Sequence, residues 1–131
     1  MAIPKVRVVT AVIERGGRYL ITQRRPNAVL PLLWEFPGGR VEEGETDHDA
    51  LLRELAYRLG VQIKVGALIG FVSHPYERYS VDLHLYECTL AAGEPEERNV
   101  NAYAWVPSSD FENYAFTPAD EMSMAELLGV G

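Results

Sequence analysis

With 131 residues, 47% of them apolar and 24% charged, the chain has the size and composition of one soluble globular domain spanning 1–131, and no apolar run is long enough to span a bilayer. A net charge of −7 without a basic stripe argues against electrostatic wrapping of a nucleic-acid duplex, so an anionic ligand needs local help from a cation, a helix end or a metal ion. Cys88 is the only cysteine, which excludes an internal disulfide and points to a reducing cytoplasm; Met1 to Thr10 has no signal-peptide pattern, because Lys5 and Arg7 interrupt it.

In chain order, Val6 to Ile13 and Arg18 to Thr22 are β-branched runs joined by a hairpin turn at Arg15-Gly16-Gly17. Pro26 to Pro31 is a loop, and Leu33 to Phe36 is a short strand ending at Pro37-Gly38-Gly39, where the glycines most simply allow a tight turn. Next comes the clearest helix. Thr46 is its N-cap, with Asp49 at near-capping-box spacing, Leu51, Leu52, Leu55 and Leu59 fall on one arc, and Gly60 ends it. Val61 to Val72 and Val81 to Leu90 read as long strands, Glu96 to Val100 as a polar loop and Ala102 to Val106 as a last strand. Thr117-Pro118 opens a final helix. The expected class is α+β, a mixed sheet with helices on its faces.

From Gly39 onward the spacing is specific. Gly39, Glu45, Arg53, Glu54, Leu55, Gly60 and Val61 match the frame G-x5-E-x7-R-E-U-x-E-E-x-G-U, with U aliphatic. This segment resembles the Nudix box. Leu33 to Gly39, Gly93-Glu94-Pro95 with Trp105-Val106, and Phe116 to Asp120 are similar to flanks of MutT-like and cytidine-triphosphate-type members. The resemblance implies an α/β/α sandwich around a mixed sheet. It also implies hydrolysis of a nucleoside diphosphate linked to another group, in the MutT-like branch a nucleoside triphosphate giving monophosphate and pyrophosphate. Magnesium would neutralise the phosphate oxygens and acidify a bound water, and it requires hard oxygen ligands.

In that frame the pattern breaks where the metal should sit. Positions 54, 57 and 58 share one helical face, and three glutamates there would make an acidic patch, but Tyr57 and Arg58 stand in the last two. By the same resemblance a further ligand belongs six residues before Trp105, where Asn99 stands; Glu96 and Glu97 are neighbours in sequence that can substitute only if they reach the site. A like charge beside a magnesium site costs several kcal/mol at an effective dielectric of about 20. Each lost 1.4 kcal/mol of transition-state stabilisation is roughly a decade of rate. Weakened metal binding at Glu54 and weakened turnover are therefore expected.

Other residues carry paired readings. Arg58 is either an exposed i,i+4 partner of Glu54 or a guanidinium in the metal's place that binds phosphates directly. Glu54 is a general base, a lone metal ligand or Arg58's partner. Arg53 and Glu45 resemble the family's internal salt bridge shaping the loop–helix junction. The run Glu42, Glu43, Glu45, Asp47 and Asp49 is a solvated face or a displaced cation site. Asp120 is either a base-reading carboxylate, as its place in the resemblance implies, or half of a Thr117-x-x-Asp120 capping box. Phe36, Tyr76 and Phe116 can stack on a base or fill the core. In the family the backbone of Gly38 and Gly39 approaches the phosphates, and Arg24 and Glu35 are ligand contacts by position. Tyr76 to Tyr79 looks like a hairpin tip at the pocket mouth, and His48, His74 and His84 lack ligand spacing. The functional expectations are a nucleotide-binding module, an active hydrolase with a rearranged magnesium site, or a non-catalytic scaffold, alone or as a homodimer.

Overall fold

The computed structural model describes residues 3–128; Met1, Ala2 and residues 129–131 lie outside the described residues. Strands β1 (Lys5–Arg15) and β2 (Arg18–Gln23) form the expected hairpin. They are followed by β3 (Trp34–Glu35), β4 (Gly38–Arg40), helix α1 (Asp47–Leu59), the long strands β5 (Gln62–Pro75) and β6 (Ser80–Ala92), β7 (Ala102–Val106), a 3-10 turn at Ser108–Asn113 and helix α2 (Pro118–Leu128). The sheet order is β3-β2-β1-β6-β5, with β4 added to β1 and β7 to β2. Among the named strands of the described residues the β1–β6 ladder is parallel and the others antiparallel, so the sheet is mixed. No described helix is long and apolar enough to cross a membrane.

The period-2 alternation of β1 sends side chains to two separate cores. Val9, Ala11 and Ile13 pack with Ala50, Leu51, Leu55 and Leu59 of α1. Val12 faces the other way, into a cluster with Phe36, Phe111, Phe116, Ala119 and Met124. Helices thus cover both faces, giving the α/β/α sandwich.

One correction shapes the site. Gly38 and Gly39 do not make a tight turn; they are strand residues whose ladder runs Val9 to Gly39 and Thr10 to Gly38. A side chain at Gly38 would collide with the carbonyl oxygen of Val9, and a Cβ at Gly39 would stand 2.6 and 2.7 Å from the carboxylate oxygens of Glu54. Glycine is needed here for close approach, not for a left-handed backbone. Since β4 takes the Val8–Thr10 stretch of β1 while β2 pairs with Glu14 and Arg15, one edge of β1 is shared between two partners.

Candidate functional site

Thr46 caps α1 by accepting the Asp49 N–H at 3.1 Å, and Gly60 closes it in the left-handed region at φ 68°. Asp47 in the first turn holds the helix to the sheet: it takes Arg7 at 2.7 and 2.6 Å and the Tyr86 hydroxyl. The Arg7 guanidinium keeps the Asp47 carboxyl below the usual carboxylate range. Arg53 donates to Glu45 at 2.7 and 2.8 Å and to the Arg40 carbonyl at 2.9 Å, joining helix, loop and β4. That contact holds the Glu45 carboxyl down at about 2 and raises Arg53 in turn.

Glu54 lies one layer behind Gly39 and is 7% exposed. One carboxylate oxygen accepts from Arg53 at 2.7 Å, the other from Arg58 Nε at 2.6 Å. Tyr57, on the same turn, is 58% exposed. Asn99 turns its amide to the helix end and donates to the Tyr57 carbonyl at 2.6 Å, while its own N–H goes to the Arg58 carbonyl at 3.0 Å. Leu59 and Ala56 carbonyls accept from Glu96 and Gly60 N–H groups, so the carbonyls of residues 56–59 that a helix end leaves over are all used. The segment from Glu96 to Asn99 is therefore a helix cap. Glu96 pairs with Arg98 at 2.7 Å and Glu97 is exposed.

These donors do not fit an oxygen-held divalent ion. Both oxygens of Glu54 already accept from guanidinium groups, the position-58 side chain is a cation, and position 99 offers a neutral amide whose nitrogen is committed to the Tyr57 carbonyl in place of a carboxylate. Among the described residues no group of three or more His, Cys, Asp or Glu is placed to hold a metal, and the acidic run from Glu42 to Asp49 is no exception. Glu96 is taken by Arg98, and neither it nor Glu97 joins Glu54 in such a group among the described residues.

The cleft beside this layer has a volume of about 340 Å³. Its floor is β1 and β6, one wall is Gly38 to Arg40, and the inner end is Asp120. Arg24, Glu35, Arg58 and Tyr76 also line it, so most residues singled out as ligand contacts converge there. Arg24 grips Glu35 with contacts of 3.2 and 3.3 Å and reaches the Val29 carbonyl at 2.6 Å. Arg58 is 25% exposed at its side chain and, among the described residues, spends only Nε on a partner. A smaller adjoining cleft shares Arg24 and Arg58 and adds Arg25, Tyr57 and Asn99, giving an acidic protein a cationic rim.

Asp120 is 4% exposed. Its two oxygens accept the Phe36 N–H at 3.1 Å and the Thr117 hydroxyl at 2.7 Å, and its own N–H goes back to the Thr117 hydroxyl; only that half of the capping box forms, because the Thr117 N–H is given to the Trp34 carbonyl. Each oxygen retains a lone pair, which leaves base contact open to it. Burial, and then the charge of Glu35, push Asp120 well above the carboxylate range; burial likewise raises Glu35 against the pull of Arg24.

Two aromatic expectations change. Phe116 is not a stacking platform: it is 5% exposed and packs on Phe111 in the core. Phe36 lines the cleft but is wholly buried, its ring packing edge-on against Tyr19 and Phe111. Tyr76 stacks on Tyr79 and accepts the Ala119 N–H at 3.4 Å. His74 packs on Tyr76 and His84 on Phe71. Sequence reading missed Val6, Val8, Thr10, Val81 and Leu83 as cleft floor; alternation along β1 was the available signal, hidden inside a continuous β-branched run.

Residues 8–126 match the model of the NUDIX domain family. The chain is 36% identical over 123 residues to a putative 8-oxo-dGTP diphosphatase 2 of Mycobacterium tuberculosis, covering 92% of this chain and 86% of that one. It is 32% identical over 115 residues to the CTP pyrophosphohydrolase of Escherichia coli K12, covering 88% and 85%. Among solved structures, a MutT NUDIX hydrolase from Burkholderia pseudomallei superposes with a TM-score of 0.83 at 26% identity over 95% of this chain and 98% of that one. The E. coli ORF135 protein gives 0.80 at 29%, over 97% and 90%. The box from Gly39 to Val61, the mixed sheet between two helices and these similarities agree, and the chain belongs to the Nudix hydrolase family, in its MutT-like branch.

Proposed function

We propose that this chain binds a nucleoside di- or triphosphate-type ligand in the cleft without carboxylate-held magnesium, and that its pyrophosphohydrolase turnover is weak or lost. The observation that carries this reading is the state of Glu54: the side chain left from the metal-binding triplet has one oxygen on Arg53 and the other on Arg58. Arg58 supplies the positive charge that a metal would bring, with its Nη atoms free among the described residues to fork onto a phosphate, and Arg24 flanks the same opening. A nucleoside extends inward over β1, its base near Asp120. Hydrolysis needs more than binding, because water must be activated against crowded phosphate oxygens, and both oxygens of Glu54 are already occupied by guanidinium groups.

The decisive experiment measures pyrophosphate release from a panel of nucleoside triphosphates with magnesium and with manganese. The wild type is compared with Tyr57→Glu/Arg58→Glu and with that pair plus Asn99→Glu. Near-silent wild type with turnover raised about a hundredfold or more in a variant supports the proposal; wild-type turnover equal to or above the variants refutes it. Both variants are needed because a carboxylate at 99 cannot donate to the Tyr57 carbonyl and so removes a helix cap. The similarity to a CTP pyrophosphohydrolase favours the second reading, an active hydrolase with a rearranged site, and wild-type turnover in this assay would establish it.

A further inference from the structure

Among the described residues, two buried side-chain polar atoms lack a hydrogen-bond partner: Thr10 Oγ1 and His84 Nδ1. The His84 ring packs on Phe71 and is not part of the cleft lining. Thr10 is. Along β1, Val6, Val8 and Thr10 line the cleft while Val9 and Ala11 face α1. Thr10 is 4% exposed, pairs with Gly38 on one side and Leu85 on the other, and so sits in the middle of the floor.

The placement is chemically odd unless something uses it. Valine has the shape of threonine and fills the two preceding positions on this face. A hydroxyl in place of a methyl loses its water on burial and gains nothing back without a partner. The neighbouring polar groups are committed: Asp120 to Phe36 and Thr117, Glu35 to Arg24. The Thr10 hydroxyl is uncommitted, and it both donates and accepts.

We propose that Thr10 is a specificity-determining residue, whose hydroxyl bonds a polar atom on the heterocycle of a nucleoside-type ligand lying over β1 against Gly38. This rests on the reading of the cleft given above. A site with a buried hydrogen-bonding group discriminates mainly against ligands that leave that group unmatched. Thr10 therefore favours a base with a donor or acceptor at that spot over one presenting a C–H, while the phosphates stay with the arginines at the rim.

The test is calorimetric titration, without divalent metal, of CTP, UTP, ATP, GTP and inorganic tripolyphosphate into wild type, Thr10→Val and Thr10→Ser. The nucleoside triphosphate that wild type binds best weakens about tenfold in Thr10→Val and less than about twofold in Thr10→Ser. Tripolyphosphate binding is unchanged in both, and Thr10→Val melts no lower than wild type. Should Thr10→Val fail to fold, Thr10→Ala must show the same split between nucleotide and tripolyphosphate. Equal binding of all five by wild type and Thr10→Val, or an equal loss on all five, overturns the proposal. So does a wild type that binds tripolyphosphate as tightly as any nucleotide. A wild type that binds none of the five overturns the nucleotide reading of the cleft itself.

Discussion

The two halves of α1 have been treated differently. The first half and its approach keep every device that orients the helix: the Thr46 cap, Asp47 tied to Arg7 and Tyr86, and Arg53 joined to Glu45 and to the Arg40 carbonyl. In the second half, on the reading proposed above, Tyr57 and Arg58 put a phenol and a guanidinium on the turn that also carries Glu54. The helix tolerates this because its last carbonyls are satisfied by the segment from Glu96 to Asn99 and by Gly60, independently of what the side chains do. If the proposed reading holds, the frame of the box and its metal chemistry are separable. The frame is an ion-pair and capping problem at the N-terminal end; the chemistry is a charge pattern on one later turn.

The harshest way to break this division is Gly39→Ala, because Gly39 is where the two halves meet. Its new Cβ would press on the Glu54 carboxylate and force apart the contacts to both Arg53 and Arg58. An expected loss of about 3 kcal/mol follows from overpacking together with a disturbed buried charge; a denaturation midpoint within error of wild type would show that β4 and α1 are looser than drawn. A finer separation compares Arg53→Ala with Arg58→Ala. The first removes contacts to Glu45, Glu54 and a backbone carbonyl and should cost about 2 kcal/mol in urea. The second leaves Glu54 with Arg53 and should cost about 1 kcal/mol while weakening tripolyphosphate binding about tenfold, with or without chelator. Equal stability losses with unchanged phosphate affinity would place Arg58 in the frame and not at the ligand.

Much of the frame of α1, at both ends, was legible in the sequence because its signals are local. Thr46 three residues before Asp49, leucines on one arc and Gly60 after Leu59 each need only the neighbouring turn to be understood. The strand β4 was not legible, since Pro37-Gly38-Gly39 has turn composition and its pairing with Val8 to Thr10 depends on a ladder some thirty residues away. Phe116 could not be sorted between core and ligand, because an aromatic carries no local sign of which it faces. At Asn99 the family resemblance located the position but not its polarity. An amide, unlike a carboxylate, can donate to a helix carbonyl, and here it does. Thr10 was masked by its own β-branched neighbours: nothing in a Val-Val-Thr-Ala-Val run says that one hydroxyl faces a cleft.

The smallest expected effect is also the most direct comparison of frame with cleft, because their acids respond to pH with opposite sign. Glu45 is held at about 2 by Arg53, below its unfolded value, so its contribution is present above the unfolded pKa and is lost as pH falls. Asp120 is raised by burial and by Glu35, so the folded protein keeps its proton where the unfolded chain has released it. That contribution is full below the unfolded pKa and is lost as pH rises to about 7, with Glu35 acting in the same direction. Stability should therefore peak in weak acid, between the two windows. Glu45→Gln should flatten the acid limb, and Asp120→Asn should flatten the decline toward neutrality and move the maximum upward by about one pH unit. Urea midpoints at half-unit steps from pH 3 to 8 decide the matter. A curve for Asp120→Asn that parallels wild type would mean the cleft carboxylates are already ionised in weak acid, and the inner end of the cleft would then present a base with a fixed negative charge instead of a proton to donate.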